Sequence, residues 1–446
     1  MPPAVDDSRP LSHRRVLAIA LPIVIANVTV PILGAVDTAV VGQMGQAAPI
    51  GAVGIGAVIL ATIYWVFGFL RMGTSGLVAQ AHGAGDQAEV GAHLARALMI
   101  AGAAGLALIA LQGPLFAAAF ALAPASDQVT GLARDYLAIR IWGAPATIAL
   151  YALTGWLIAT ERARAVLALQ LLMNGLNVAL DLWFVLGLGW GVKGVATATL
   201  IAEIAGLALG LWLARGVLMQ PALRQAARLF DRDRLREIWS VNSDIMIRSV
   251  LLQASFTTFL FLGAGHGDVQ LAANQVLLQF LEITAYALDG FAFAAETLVG
   301  QAVGARRPDR LRRAAILTGQ WGAGGAAVLG LAFLILGPSL IAVMTTEPQV
   351  RAAAGALLPF VAVAPVIGIA AWMLDGIFIG ATLTREMRNA MLASVAVYLI
   401  ALAVLLPTLG NAGLWAALMV LNLTRGITMA RLYPRVEAKA ARPRGR

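Results

Sequence analysis

The stretch Pro31-Ile-Leu-Gly-Ala-Val-Asp37-Thr-Ala-Val-Val41 places one acid in a largely apolar run, otherwise uncharged from Val16 to Val41. That run is long enough to cross a bilayer, which takes roughly 20 apolar residues. A carboxylate at membrane depth costs about 2.5–3.5 kcal/mol, so it faces the protein interior or a water-filled cavity. Pro22 and Pro31 lie in the same run and free backbone carbonyls from helical bonding. Two readings of Asp37 follow. It is a buried acid held neutral or paired for structure alone, or a protonatable or cation-binding group in a transport pathway.

Composition extends the membrane reading to the whole chain. Of 446 residues, 60% are hydrophobic and 12% charged, with a mean hydropathy of +0.82. A soluble protein carries about 25% charged residues. The net charge of +9 invites a nucleic-acid reading, but the basic residues sit in loops at helix ends, as the positive-inside rule describes. Nucleic acid is therefore not an expected partner; the bilayer is. With no cysteine and four scattered histidines (His13, His82, His93, His266), neither a disulfide nor a metal-ligand pair is expected. No GxxxxGK[ST] motif links the chain to ATP, and no cofactor is expected. Met1 to Ser12 lacks the h-region and cleavage site of a signal peptide.

Length and hydropathy predict an all-α polytopic fold of about twelve membrane helices. They fall near 14–41, 49–81, 88–122, 129–160, 163–186, 192–213, 239–262, 270–303, 308–344, 348–382, 386–406 and 411–432. The domain reading is a tail at 1–13, a first lobe at 14–216, a basic linker at 217–238, a second lobe at 239–432 and a tail at 433–446. Gln220 to Glu237, with Arg224, Arg228, Arg232, Arg234 and Arg236 beside Leu223, Leu229 and Leu235, reads as a solvated amphipathic linker on an anionic membrane surface. The tail from Arg435 is expected to be disordered. Arg9, Arg14, Arg15, Arg162, Arg164, the linker, Arg306 to Arg313, Arg385 and Arg388 share one side. Both termini are therefore expected in the cytoplasm, in a bacterial inner membrane.

The halves repeat. Leu77-Val-Ala-Gln-Ala-His-Gly-Ala84 resembles Leu298-Val-Gly-Gln-Ala-Val-Gly-Ala305, an offset of 221 that also pairs Gly42 with Gly263 and Ala52 with Ala273. An even number of helices per half makes this a parallel repeat, as in secondary transporters that rock two bundles about a central cavity.

Polar residues inside the helices are the candidates for chemistry. Gln170, Asn174, Asn177 and Asp181 are spaced 4, 3 and 4 in the fifth helix, which puts them on one face. Asp37 and Asp181 each lie about six residues before an outer turn, roughly 9 Å deep. Two carboxyls sharing a low-dielectric level do not both ionise readily, so the pair can carry a proton. It can equally coordinate a small cation such as Na⁺ with Asn177. Thr197 and Thr199 on the sixth helix begin at similar depth, and Glu203 lies a turn further in, as a neutral hydrogen-bonded acid or a cavity residue. In the second half Glu282, Asp289 and Glu296 recur every seven residues, and Asp375 adds an acid in the tenth helix; these read as structural or gating groups. Asp244 and Arg248 form an i, i+4 pair expected to satisfy each other.

With these residues in hand, the layout resembles the multidrug and toxic compound extrusion (MATE) transporters along essentially the whole chain. The resemblance is carried by Ala35-Val-Asp37-Thr38, Gly76-Leu-Val-Ala-Gln-Ala-His-Gly83, and Asn177 with Asp181. Asp244-Ile-Met-Ile-Arg248, Asp289-Gly-Phe-Ala-Phe-Ala-Ala-Glu296 and Asp375-Gly-Ile-Phe-Ile-Gly-Ala381 look like its DinF branch. The resemblance implies two six-helix lobes forming a V and cation-driven efflux. It also implies coupling at Asp37, Asn177 and Asp181. The seventh helix carries no acid at the level where the NorM branch has a Glu, so a NorM-type sodium site in the second lobe is not implied.

The leading expectation is a monomeric antiporter, not an enzyme, exporting amphipathic and often cationic compounds against H⁺ or Na⁺. Gln170, Asn174, Thr197, Thr199 and Glu203 are its candidate cavity residues. The alternative is a lipid-linked precursor flippase of related two-lobe plan. A flippase needs several cavity cations for a pyrophosphate, and the first half offers mainly Arg71 and Arg96.

Overall fold

The computed structural model describes residues 11–44, 46–122 and 126–441. Among these, twelve helices are long and apolar enough to cross a membrane. They are α1 (His13–Gly42), α2 (Ala48–Gly83), α3 (Gln87–Ala110), α4 (Asp127–Ala159), α5 (Ala163–Gly187) and α6 (Gly191–Leu218) in the first half. The second half holds α7 (Arg232–Ala264), α8 (Asp268–Gly304), α9 (Pro308–Met344), α10 (Pro348–Gly380), α11 (Thr384–Leu409) and α12 (Asn411–Ala441). No strand occurs among the described residues. The fold is all-α and polytopic, as hydropathy predicts.

Prolines explain where the helices depart from the expected spans. The third helix, expected to reach Leu122, stops at Ala110, and a separate apolar helix follows at Gln112–Leu122. Pro114 has no N–H to donate to the Ala110 carbonyl. Likewise Pro145 cannot donate to Ile141, and α4 tightens into a 3₁₀ turn at Ile141–Gly143. α2 carries a 3₁₀ turn at Val66–Gly68, and α5 widens after Asp181 into a π-helical turn, Leu182–Gly187. Such turns are frequent at functional sites.

The chain divides into two compact units whose bounds differ from the lobes read from sequence. Among the described residues, one holds Ile25–Val78 and Asp86–Arg236, and the other holds 11–24, Ala79–Gly85 and 237–441. The first unit's core joins Val40, Val41, Leu60, Tyr64, Tyr136, Leu137 and Ile141. A second patch there joins Leu70, Ala97, Ala101, Ile148 and Ala152. The other unit's core uses edge-to-face aromatic pairs: Phe259 with Trp415 at 5.0 Å and Phe280 with Phe333 at 5.0 Å.

The backbone carries the internal repeat. Among the described residues, six of the eight with positive φ fall in three pairs 221 apart: Gly85 with Arg306, Glu161 with Thr382, and Gly189 with Gly410. Each pair marks equivalent turns after the second, fourth and fifth helices of a half. Within the second unit, the repeated motif forms a reciprocal crossing. A Cβ on Gly83 would overlap the Gln301 carbonyl, and one on Gly304 would overlap the Gln80 carbonyl. Those two glycines, themselves 221 apart, let the helix ends approach backbone to backbone.

Two segments expected to be loose are docked. In the linker, Arg96 on α3 donates to the carbonyls of Arg228 (2.6 Å) and Leu229 (3.1 Å). Arg228 in turn reaches Asp86 at 3.3 Å and Glu89 at 3.5 Å. The linker is thus anchored on α3 rather than freely solvated, although Arg232, Arg234 and Arg236 are exposed. The C-terminal tail continues α12 as helix to Ala441, held by a bidentate Arg312–Glu437 pair at 2.9 Å and by Lys439 on Thr382 at 2.6 Å. Cross-helix partners that no local pattern reveals supply the order. The expectations for residues 1–10 and 442–446 lie outside the described residues.

Candidate functional site

The 4-3-4 spacing on α5 produces one polar face, and the structure joins its members in the first unit. Gln170 donates to Asn174 at 3.1 Å, and Asn174 donates to Thr29 of α1 at 2.7 Å. Two turns of α5 further on, Asn177 and Asp181 meet Asp37 of α1 and Thr199 of α6. Asp181 and Asn177 are fully buried, and Asp37 is half-buried.

The Asn177 carboxamide is the centre of this group. With nitrogen toward the acids it donates to Asp37 Oδ1 at 3.0 Å and Asp181 Oδ2 at 3.1 Å. Its oxygen then accepts from Thr199 Oγ1 at 2.9 Å and the Thr199 backbone N–H at 3.2 Å. Turned over, the amide would set its oxygen against the two carboxyls and its nitrogen against the Thr199 backbone N–H, so the first orientation is the one its neighbours satisfy. Asp37 and Asp181 are thus joined through one amide nitrogen. Asp181 Oδ1 is buried with no hydrogen-bond partner among the described residues, so the group has acceptor capacity left over.

The remaining first-half candidates separate. Thr199 belongs to the group, whereas the Thr197 hydroxyl is tied to the Lys193 carbonyl at 2.7 Å on its own helix. Glu203 is not a lone acid. It takes a bidentate pair from Arg140 of α4 at 2.6 and 2.9 Å. Sequence reasoning missed Arg140, Thr29, Tyr64 and Tyr136. A usable signal for Arg140 existed: it is a single base deep in an apolar span, and α6 offers a single acid deep in another.

The second-half acids occupy graded environments. Along one face of α8, Glu282 is exposed, Asp289 half-buried and Glu296 fully buried. Asp375 of α10 accepts from both Arg248 of α7 and Arg425 of α12 through one oxygen. The expected Asp244–Arg248 pair does not form. Asp244 instead accepts from Arg388 at 2.6 Å and Thr384 at 3.2 Å. Neighbouring helices offer better-aligned partners than the i, i+4 position. Among the described residues, no group of three His, Asp or Glu side chains is placed to hold a metal ion.

A family model described as MatE matches residues 22–183 and 245–405, one segment in each half. The chain is 38% identical over 433 residues to the DNA damage-inducible protein F of Escherichia coli K12, covering 95% of this chain and 92% of that protein. It is 28% identical over 407 residues to a probable multidrug resistance protein NorM of Rhizobium meliloti, covering 86% and 83%. Among solved structures, an outward-facing multidrug resistance MATE family transporter superposes with a TM-score of 0.86 at 18% identity over 96% of both chains. The Vibrio cholerae MATE transporter VcmN superposes with a TM-score of 0.85 at 19% identity, over 95% of this chain and 96% of that one. At such identities the structural likeness speaks to the fold; the sequence matches decide the family. The chain belongs to the MatE family: it is a multi-pass membrane transporter of the MATE type, related to DinF and NorM, and not an enzyme.

Proposed function

We propose that the protein exports amphipathic, often cationic, organic compounds from the bacterial cytoplasm in exchange for inward H⁺ or Na⁺. Asp37, Asn177 and Asp181 form its coupling site. The observation that carries this reading is a carboxyl pair, Asp37 and Asp181, that shares the Asn177 amide nitrogen and leaves Asp181 Oδ1 buried without a hydrogen-bond partner among the described residues. The amide nitrogen holds the ionised pair, and a proton or a monovalent cation is taken up at the carboxyl oxygen left over.

α1 carries Pro22 and Pro31, the latter six residues before Asp37. The helix is weakest beside its charge. Loading Asp37 shifts α1 relative to α5, shrinks the cavity of the first lobe and expels the bound compound; entry of the ion is thereby linked to export. Gln170 and Asn174, bonded in series to Thr29 of α1, line the same helix pair and tie its other end. Both termini lie in the cytoplasm in this reading, which the basic residues at one set of helix ends support.

The test is export of a fluorescent cation from inverted membrane vesicles with pH and sodium gradients imposed separately. Asp37→Asn keeps the shape and removes the charge. It is expected to abolish gradient-driven export while the protein still inserts and folds. Normal export by this variant would overturn the reading.

A further inference from the structure

We infer that the Arg140–Glu203 ion pair is a positioning pair that sets how tightly the Asp37–Asn177–Asp181 group holds its coupling cation. The inference rests on the proposed coupling site. Glu203 lies four residues beyond Thr199 on α6, about 6 Å along the axis and on the same face. Thr199 itself touches Asn177. The pair therefore sits one turn of α6 from the coupling group, near enough for its charges to be felt at Asp37.

The backbone makes room for this pair. Gly143 lies in the 3₁₀ turn of α4. A Cβ there would come within 2.5 Å of Glu203 Oε2 and 3.4 Å of the Arg140 guanidinium. Arg140 and Glu203 are each 7% exposed. Both Glu203 oxygens are taken, yet Arg140 Nε has no acceptor, so Glu203 does not exhaust the guanidinium. The other groups within electrostatic reach are the phenols of Tyr64, Tyr136 and Tyr151, with Arg71 acting on Tyr151. Asp37 and Asp181 complete the set.

Packing does not account for such a pair. A buried ion pair is often no more stable than apolar residues of the same volume, and charges at membrane depth are expensive. Two apolar side chains at these positions would also free α4 from the need for Gly143. What apolar residues lack is a field. Arg140 alone would oppose a cation at Asp37; Glu203 offsets that charge and lets the acid pair load. The balance between the two sets the ion concentration at which loading occurs.

The sign of the effect provides the test. Export by the full-length protein in vesicles is measured against stepped H⁺, and separately Na⁺, concentration. Glu203→Gln leaves Arg140 unopposed, and the half-saturating ion concentration is expected to rise on the order of tenfold, the effect of a unit charge about 10 Å away at an effective dielectric near 20. Arg140→Gln is expected not to raise it, and the double variant to return close to the parent. Should Arg140→Gln fail to fold, Glu203→Gln against Glu203→Asp decides, because only the first removes the charge and only it should shift the curve. A merely structural pair would lower the amount of folded protein and leave half-saturation where it was. An unchanged curve in Glu203→Gln, or a rise in both single variants, overturns the inference. If that happens while Asp37→Asn still abolishes coupling, the inference falls alone. A parent with no ion dependence overturns the coupling site as well.

Discussion

Replacing Asp375 by Asn should destabilise the second unit far more than it impairs transport. Asp375 joins three helices: Arg248 of α7 and Arg425 of α12 both donate to its Oδ2 from α10. The three residues are 6%, 6% and 2% exposed, in the order Asp375, Arg248, Arg425. Asn keeps the shape but removes the charge that both guanidiniums face. Removing one partner from a buried ion cluster costs about 3–5 kcal/mol, because both guanidiniums stay buried and lose the carboxylate they share. At roughly 2 °C per kcal/mol for a large chain, the half-unfolding temperature falls by roughly 5–10 °C. The assay is the fraction of monodisperse protein in detergent after stepwise heating. Glu282→Gln, an exposed acid of the same unit, is the control, expected within about 0.5 kcal/mol of the parent. Export per folded molecule should be preserved in Asp375→Asn, since a carboxylate clamped by two guanidiniums is not free to exchange a cation. Parental stability would refute the clamp. Lowered stability with export lost per folded molecule would place Asp375 in the transport step instead.

Gly304→Val should prevent proper assembly, because even a Cβ would overlap the Gln80 carbonyl. Gly319→Ala, with nothing within 4 Å, should instead be neutral or stabilising by about 0.5–1 kcal/mol; comparing expression and melting of the two checks this. Arg96→Met should release the linker from α3 by removing its bonds to the Arg228 and Leu229 carbonyls, each worth about 1.5–3 kcal/mol as a charged hydrogen bond. Limited proteolysis should then cut within residues 225–231 faster than in the parent, and an equal rate would show that the linker is held by other contacts.

What sequence made legible has a physical boundary. Bilayer thickness fixes helix length, so hydropathy counts twelve spans. Helical periodicity puts Gln170, Asn174, Asn177 and Asp181 on one face, where the structure has them. Asp37 was identifiable because a lone acid in an apolar run needs a reason. Partners chosen across helices were not legible. Arg248 turns to Asp375 rather than to Asp244 one turn away, and Glu203 meets an arginine 63 residues earlier in the chain. The docked linker and tail escaped for the same reason. The linker reads as solvated until Glu89 of α3 is brought to its Arg228, and the tail reads as loose until its own Glu437 meets Arg312 of α9. The 3₁₀ break in α2 had no proline beside it to announce it.

The repeat shows how one fold carries two charge patterns. Counting 221 residues on from Asp37, Asn177 and Asp181 gives Thr258, Tyr398 and Leu402. The same pair of helices, first and fifth of each half, is therefore fastened differently. In the first half an acid pair and an amide meet between α1 and α5. In the second, Tyr398 of α11 donates to the Ser255 carbonyl of α7 at 3.1 Å, with Leu402 buried beside it. That clasp contains nothing that can take up a proton or a cation near neutral pH. The fourth and sixth helices also exchange signs. Arg140 on α4 meets Glu203 on α6, whereas Asp375 on α10 meets Arg425 on α12. Backbone turns at equal spacing keep the halves alike, because helix packing and the reciprocal glycine crossing demand it. The polar side chains are under no such constraint. Equivalent helix pairs thus carry an acid pair with an amide in the first half and a phenol on a carbonyl in the second, and the proposed coupling site draws on the first alone.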